Sequence, residues 1–294
     1  MEIFGIPAQA MFGQLLIGLI NGSFYALLSL GLAVIFGLLN IINFTHGAQY
    51  MMGAFVAYLL LEKLGIGYWW SLAIAPVLVG ATGMIIERTM LARLYKLDHL
   101  YGLLLTFGLA LIIQGLFRNE YGSSGLPYRI PEQLLGAQNL GFMFLPNYRA
   151  WVIVASLVVC LSTWYVIERT KLGAYLRAAT ENPQLVQAFG INVPRMITLT
   201  YGFGVGLAAL AGVMAAPIYQ VNPLMGADMI IVVFAVVVIG GMGSIMGAIV
   251  TGFGLGVIEG LTKVFYPEAS NTVIFIIMAI VLLIKPAGLF GTQK

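Results

Sequence analysis

Residues 3–61 read IFGIPAQAMFGQLLIGLINGSFYALLSLGLAVIFGLLNIINFTHGAQYMMGAFVAYLLL, and none of these 59 residues is Asp, Glu, Lys or Arg. A transmembrane helix needs about 20 consecutive apolar residues, so this stretch is long enough for two passes. The whole chain of 294 residues is 61% hydrophobic and 9% charged, whereas soluble domains carry about 25% charged residues. We therefore predict an all-α, polytopic membrane helix bundle.

Six further apolar runs follow the first stretch, and one of them is too long for a single pass. That run, Met229–Ile258, contains Gly240-Gly241-Met242-Gly243-Ser244, which predicts a break between two helices. The count is then about nine membrane elements, with a range of eight to ten, in a single transmembrane domain over residues 1–294. The other five runs are Trp69–Ile86, Tyr101–Phe117, Trp151–Ile167, Ile197–Pro217 and Thr272–Ile284.

Basic residues orient the predicted bundle. Short cytoplasmic loops carry an excess of Lys and Arg, and this places the loop 168–196 and the C-terminus in the cytoplasm and the N-terminus outside. The loop 118–149 is placed on the outer side. This loop also carries arginines, which the rule would place in the cytoplasm. It is, however, long and rich in Gly, Pro and aromatic residues. The basic residues on the cytoplasmic side are Arg88, Arg93, Lys96, Arg169, Lys171, Arg177, Arg195, Lys285 and Lys294.

A cluster of polar side chains interrupts the first uncharged stretch. Polar groups at membrane depth cost free energy unless they find partners. One interpretation is a discontinuous second helix beside a translocation path, with Asn43 and Thr45 capping a half-helix that begins near His46. The other is that these side chains tie neighbouring helices together. The candidate path residues are Asn40, Asn43, Thr45, His46 and Gln49.

Charged and catalytic residue types are scarce in the rest of the chain. Glu259 ends a glycine-rich helix and is expected at the membrane interface, with a buried proton site as the alternative. The shortage of buried charges argues against proton or sodium coupling. The sequence holds no P-loop, no catalytic motif and no Cys/His metal set, so we predict no catalytic residue and no metal site. The net charge of +3 gives no case for nucleic-acid binding.

The longest charged segment, residues 168–195, reads ERTKLGAYLRAATENPQLVQAFGINVPR. It contains the signals of a miniature helix: Asn182 as N-cap, Pro183 at the first helical position and Gly190 just past the end. A short, rigid helix that projects from a membrane bundle is suited to docking on a soluble partner.

Four stretches resemble a known family, the permease subunits of ABC importers for branched-chain amino acids and related compounds (LivH-like). The first is Gly37–Gly47, in which Asn40 is followed six residues later by the pair His46-Gly47. The others are the loop Arg177–Arg195, the glycine segment Gly240–Ala248 and the ending Lys285–Gly291. The resemblance covers nearly the whole chain in order and spacing. It is specific for the family and not for the solute.

The resemblance implies a type II-like importer permease, multi-pass in the bacterial cytoplasmic (inner) membrane. This chain would pair with a second, homologous permease, above two ABC ATPase subunits that carry ATP and Mg, and receive solute from a periplasmic or extracellular binding protein. No cofactor is expected in this chain itself. Arg195 would also anchor its segment near the lipid surface. The residues implied in coupling to the ATPase are Arg177, Glu181, Asn182, Pro183, Leu185, Phe189, Gly190 and Arg195.

Alternatives from other classes stay open at this point. A secondary transporter or channel for small polar solutes would work without an ATPase, and an integral membrane enzyme is a remote third option. The residues do not distinguish among solutes or decide between homodimeric and heterodimeric pairing of permeases.

Overall fold

The computed structural model describes residues 2–3, 6–39, 42–95 and 97–291. These residues form two small antiparallel hairpins, β1 (Glu2–Ile3) with β2 (Ile6–Pro7) and β3 (Ala137–Asn139) with β4 (Phe144–Pro146). They also form eleven α-helices: α1 (Ala8–Leu39), α2 (Thr45–Leu64), α3 (Tyr68–Thr89), α4 (His99–Tyr121), α5 (Asn147–Arg169), α6 (Lys171–Glu181), α7 (Pro183–Ala188), α8 (Val193–Tyr219), α9 (Met225–Gly240), α10 (Ile245–Phe265) and α11 (Val273–Ile284).

The described helices match the predicted number of membrane elements. Six are long and apolar enough to cross a membrane, namely α1, α3, α4, α5, α8 and α10. Two shorter apolar helices are α9 and α11, and the 20-residue helix α2, which is less apolar, brings this set of described helices to nine. The prediction of a polytopic helical membrane bundle is confirmed.

The predicted break in the long apolar run is also confirmed. Helix α9 ends at Gly240 and α10 begins at Ile245. Gly241 and Gly243 between them have φ angles of 102° and 89°, a region that glycine adopts without steric cost. The Ser244 hydroxyl oxygen accepts a hydrogen bond from the Gly247 amide at 3.0 Å and so caps α10.

The described residues divide into two compact units. The first comprises Met1–Ser29, Ile130–Cys160 and Val232–Lys294, and the second comprises Leu30–Arg129 and Leu161–Ile231. Helices α1, α5 and α9 contribute to both units, while α10 and α11 belong to the first and α2, α3, α4 and α8 to the second.

In the first unit a glycine stripe of α10 packs on α1. A Cβ atom on Gly256 would meet the carbonyl oxygen of Gly18 and the backbone of Gly22, and one on Gly252 would lie 2.5 Å from the Ala26 Cα. The two backbones therefore approach each other where neither helix carries a side chain. Small residues at four-residue spacing allow this close packing between helices in lipid.

In the second unit α8 packs closely on both α2 and α3. A Cβ on Gly53 of α2 would meet the backbone of Ala209, and a Cβ on Gly80 of α3 would lie 2.9 Å from the Gly202 carbonyl oxygen. A buried apolar cluster fills the remaining space, with Tyr201 and Val205 of α8 at its centre. This packing positions the start of α2 and the end of α3.

Candidate functional site

The interruption predicted in the first uncharged stretch lies between α1 and α2. Helix α1 ends at Leu39, residues 42–44 are not helical, and α2 runs continuously from Thr45 to Leu64. Asn40 falls outside the described residues. The capping prediction is wrong: Phe44 occupies the N-cap position, and no side chain there bonds the first amides of α2.

Thr106 of α4 supplies the contacts that a cap would otherwise provide. The Thr45 hydroxyl donates to the Thr106 carbonyl oxygen at 2.9 Å, and the Phe44 amide donates to the Thr106 hydroxyl at 3.2 Å. The same hydroxyl lies 3.2 Å from the Ile42 carbonyl oxygen. A neighbouring helix thus satisfies the polar groups that the break in the chain exposes. Thr106 carried no signal in the sequence because it stands alone in an apolar run.

The remaining polar residues at this break are buried in the second unit. Asn43, Thr45, His46 and Gln49 each have at most 1% of their surface exposed. The Asn43 amide nitrogen donates to the Gln49 side-chain oxygen at 3.1 Å, while the Asn43 Oδ1 atom is buried without a hydrogen-bond partner among the described residues. The His46 ring packs on Gly31 of α1, where a Cβ would lie 3.0 Å from its Cε1 atom.

An apolar cavity of about 300 Å³ lies beside the start of α2. Phe44, Gly47 and Ala48 line it, together with residues of α4 and of the segment 223–231. The buried polar cluster is not part of its lining, so the two faces of the first turn of α2 differ in character. Gln114 is the polar side chain in the wall of this cavity.

The segment 168–196 is more ordered than the sequence indicated. It contains the predicted short helix α7 and also an amphipathic helix that the sequence analysis missed, α6. Helix α6 folds back on the end of α5, where Gly173 touches the Ile167 backbone closely. Arg177 holds this corner, because its guanidinium donates to the Ile167 carbonyl oxygen at 3.1 Å and pairs with Glu168 at 3.4 Å.

The predicted caps of α7 are confirmed. The Asn182 side-chain oxygen accepts from the Leu185 amide at 3.0 Å, Pro183 is the first helical residue, and Gly190 has a φ of +84° just past the end. Asn192 then caps α8 by accepting from the Arg195 amide at 3.1 Å.

Helix α7 exposes apolar side chains. Leu185 is 55% exposed and Phe189 is 77% exposed, while Val186 faces inward at 6%. Glu181 at the end of α6 and Arg195 at the start of α8 are also exposed. The eight residues predicted for coupling therefore lie along one continuous stretch with a capped, partly apolar helix in its middle.

A buried carboxylate links α3 to the start of α8. Glu87 is 2% exposed, and it accepts hydrogen bonds from the Thr198 hydroxyl at 2.6 Å and from the Tyr95 hydroxyl. Burial, and after it the hydrogen bond to Glu87, raises the pKa of Tyr95 above its ordinary value. The Tyr95 hydroxyl therefore stays protonated and donates to Glu87. No pattern in the sequence predicted this link, because Glu87 and Thr198 are 111 positions apart.

Glu259 is buried in the helix packing of the first unit. Only 4% of its surface is exposed, and it accepts from the Tyr25 hydroxyl at 2.7 Å and pairs with Lys263 one turn later. The glycine stripe of α10 explains the burial, because it draws α1 over this part of the helix.

The fold defines a polytopic α-helical membrane protein with two short helices, α6 and α7, between two helices long enough to span a membrane. The family described as the permease component of the branched-chain amino acid transport system matches residues 14–282, and the chain belongs to that family.

Several curated relatives have nearly the same length. The chain is 30% identical to the high-affinity branched-chain amino acid transport system permease protein LivH of Escherichia coli K12, over 96% of both chains. It is 30% identical, with the same coverage, to BraD of Pseudomonas aeruginosa, which bears the same description. It is 28% identical to LivM of Escherichia coli K12, over 92% of this chain and 68% of that protein. The chain is therefore a transporter permease and not an enzyme.

Proposed function

We propose that this chain forms one half of the translocation pathway of an ATP-driven importer for branched-chain amino acids or related small amphipathic solutes. The observation that carries the proposal is the full-length likeness to LivH and BraD, together with the exposed helix α7. In this proposal two separate ATPase subunits bind ATP and Mg, and a binding protein outside the membrane delivers the solute. The chain also resembles LivM, which supports a second, homologous permease as its partner.

Helix α7 is the proposed contact with the ATPase. Its short length and its caps at both ends make it a rigid body, and Leu185 and Phe189 offer an apolar surface to a groove. Arg177 fixes α6 to the end of α5, so a movement of α7 would be passed to a membrane-spanning helix. Glu181, Asn182, Pro183, Gly190 and Arg195 shape the ends of this contact.

The break before α2 is the proposed part of the translocation path. Asn43, Thr45, His46 and Gln49 hold polar groups at membrane depth, and Asn43 Oδ1 is available to a solute or a water molecule when the site opens. The adjacent apolar cavity suits an aliphatic side chain. In this arrangement the cavity takes the hydrocarbon end of the solute, with Gln114 as the polar side chain in its wall, while the polar cluster lies on the other face of the first turn of α2.

The test is ATP-dependent uptake by the reconstituted system. The chain, its proposed permease partner, the ATPase subunits and the binding protein are placed in liposomes, and leucine uptake is followed with and without ATP. We expect uptake only when ATP and the ATPase subunits are both present. Solute flux through the permeases alone, without ATP, would instead support a secondary transporter or channel.

A double variant, Leu185→Ser with Phe189→Ser, tests the proposed contact directly. Both side chains are exposed, so the fold should persist, while removal of the apolar surface should reduce co-purification of the ATPase by tenfold or more, since apolar anchors carry much of the energy of such interfaces (about 2 kcal/mol or more each). Leu135→Ser is the matched control, because Leu135 is 56% exposed and belongs to the loop 118–149, outside the segment 168–196. Equal ATPase recovery from the double variant and the control would refute the contact.

A further inference from the structure

A groove of about 540 Å³ lies between the end of α3 and the start of α8, within the second unit. Its wall is mostly apolar and its rim carries two arginines. The residues that matter here are Ala81, Met84, Ile85, Leu199, Arg88 and Arg195.

Both arginines have free hydrogen-bonding groups within the described part of the chain. Among the described residues, neither guanidinium makes an ion pair or a hydrogen bond, and the ion pairs present involve Arg177 and Lys263 instead. The adjacent acidic residue, Glu87, is buried and already accepts hydrogen bonds from Tyr95 and Thr198. The groove lining includes no acidic side chain. The rim therefore carries two guanidinium groups whose hydrogen-bond donors are unused by the residues that the structure describes.

The position of the groove gives it one polar end and one apolar end. Arg88 lies in the last turn of α3 and Arg195 in the first turn of α8, and both helices are long and apolar enough to cross a membrane. Ala81 and Met84 lie one to two turns deeper in the membrane-spanning part of α3. A soluble subunit could reach the arginines but not these deeper residues, whereas an acyl chain matches them.

We propose that this groove binds an anionic phospholipid, with the phosphate between Arg88 and Arg195 and an acyl chain along the wall formed by Met84, Ile85 and Leu199. Guanidinium groups pair with phosphate through directed, charge-assisted hydrogen bonds. Basic pockets between membrane helices attract anionic headgroups for the same reason. The bound lipid would lie directly beside the segment 168–196, where it steadies the start of α8.

The experiment measures lipid retention by native mass spectrometry of the full chain in detergent. Dioleoylphosphatidylglycerol is compared with dioleoylphosphatidylcholine, which has the same acyl chains and no net charge. We expect the wild type to retain the anionic lipid preferentially. The double variant Arg88→Gln, Arg195→Gln should bind it about 25-fold more weakly, since each basic residue near an anionic surface contributes roughly fivefold.

The matched control is Arg93→Gln with Arg129→Gln. These arginines are exposed and lie outside the groove lining, so this variant loses the same charge and should retain the lipid as the wild type does. Equal lipid loss from both double variants, or unchanged binding in the groove variant, would overturn the proposal. Equal retention of both lipids by the wild type would overturn it as well.

A third variant distinguishes lipid binding in the groove from lipid binding by surface charge alone. Ala81→Phe fills the apolar wall and keeps both arginines, so it should lose the anionic lipid. Retention of the lipid by a folded Ala81→Phe protein would show that charge alone attracts it and would contradict the groove. Should that variant not elute as a single species, Ile85→Trp makes the same test at a residue that is 62% exposed.

Discussion

At the scale of single residues, the break before α2 depends on Thr106. The hydroxyl and carbonyl groups of this one residue join α4 to residues 42–45. Because Thr106 is fully buried, each lost partner leaves a buried polar group unsatisfied.

Thr106→Val should therefore destabilise the protein. Valine has nearly the same shape but leaves the Phe44 amide without its acceptor, which costs about 1–3 kcal/mol for a buried group. Thermal unfolding in detergent is the measurement. Thr262→Val is the control, because the Thr262 hydroxyl only donates to the Ile258 carbonyl oxygen of its own helix at 2.8 Å. A melting temperature no lower than that of the control would show that the Thr106 contacts are dispensable.

At the scale of elements, the C-terminal end of α7 depends on a left-handed residue. Gly190 has a φ of +84° and open space around the position of a Cβ atom. Its replacement therefore acts through backbone strain and not through a clash.

Gly190→Val should uncouple ATP hydrolysis from transport. A β-branched residue in the left-handed region costs about 1–2 kcal/mol, enough to reorient the short helix, so fewer solute molecules should be imported per ATP hydrolysed. Gly141→Val introduces the same strain at a φ of +83° in the β3–β4 turn. If both variants couple as the wild type does, the end of α7 has no part in the ATPase contact.

Helix α10 offers a second comparison within one element. Gly256 touches the backbones of Gly18 and Gly22, whereas a Cβ on Gly254 would have no atom within 4 Å. Gly256→Val should separate α1 from α10 and cost about 1–3 kcal/mol or more by overpacking, while Gly254→Val should be close to neutral. The measurement is the unfolding temperature of each variant in detergent. Equal values would mean that the close approach of the two helices contributes nothing to stability.

At the scale of the whole molecule, the proposal requires α7 in the cytoplasm and the loop 118–149 on the outer side. The positive charges of the short loops favour this orientation. The chain has one cysteine, Cys160, which is fully buried, so introduced thiols can be labelled without background.

Two single-cysteine variants should report opposite sides of the membrane. A thiol at the exposed position Gln138 (Gln138→Cys) should react with an impermeant maleimide added to intact spheroplasts, whereas one at Gln184 (Gln184→Cys) should react only in inside-out vesicles. The reverse pattern would invert the orientation and remove α7 from reach of any ATPase.

Several features were available from the sequence alone. Hydrophobic runs predicted the membrane class and the apolar helices, the glycines at 240–243 predicted the break between α9 and α10, and Asn182, Pro183 and Gly190 predicted both ends of α7. Each of these rests on local physics: hydrophobic length, backbone freedom and capping by residues a few positions apart.

Only the tertiary structure revealed Thr106 as the partner of the α2 start, the burial of Glu259, the Glu87–Thr198 bond and the basic groove. These contacts join residues that lie far apart in the chain, up to 234 positions for Tyr25 and Glu259. Apart from a stripe of small residues such as that of α10, a membrane helix that is apolar all round gives little sequence signal for the face that meets a neighbour. The helix packing therefore decided which buried polar residues found partners, and it brought Arg88 and Arg195 to the same groove.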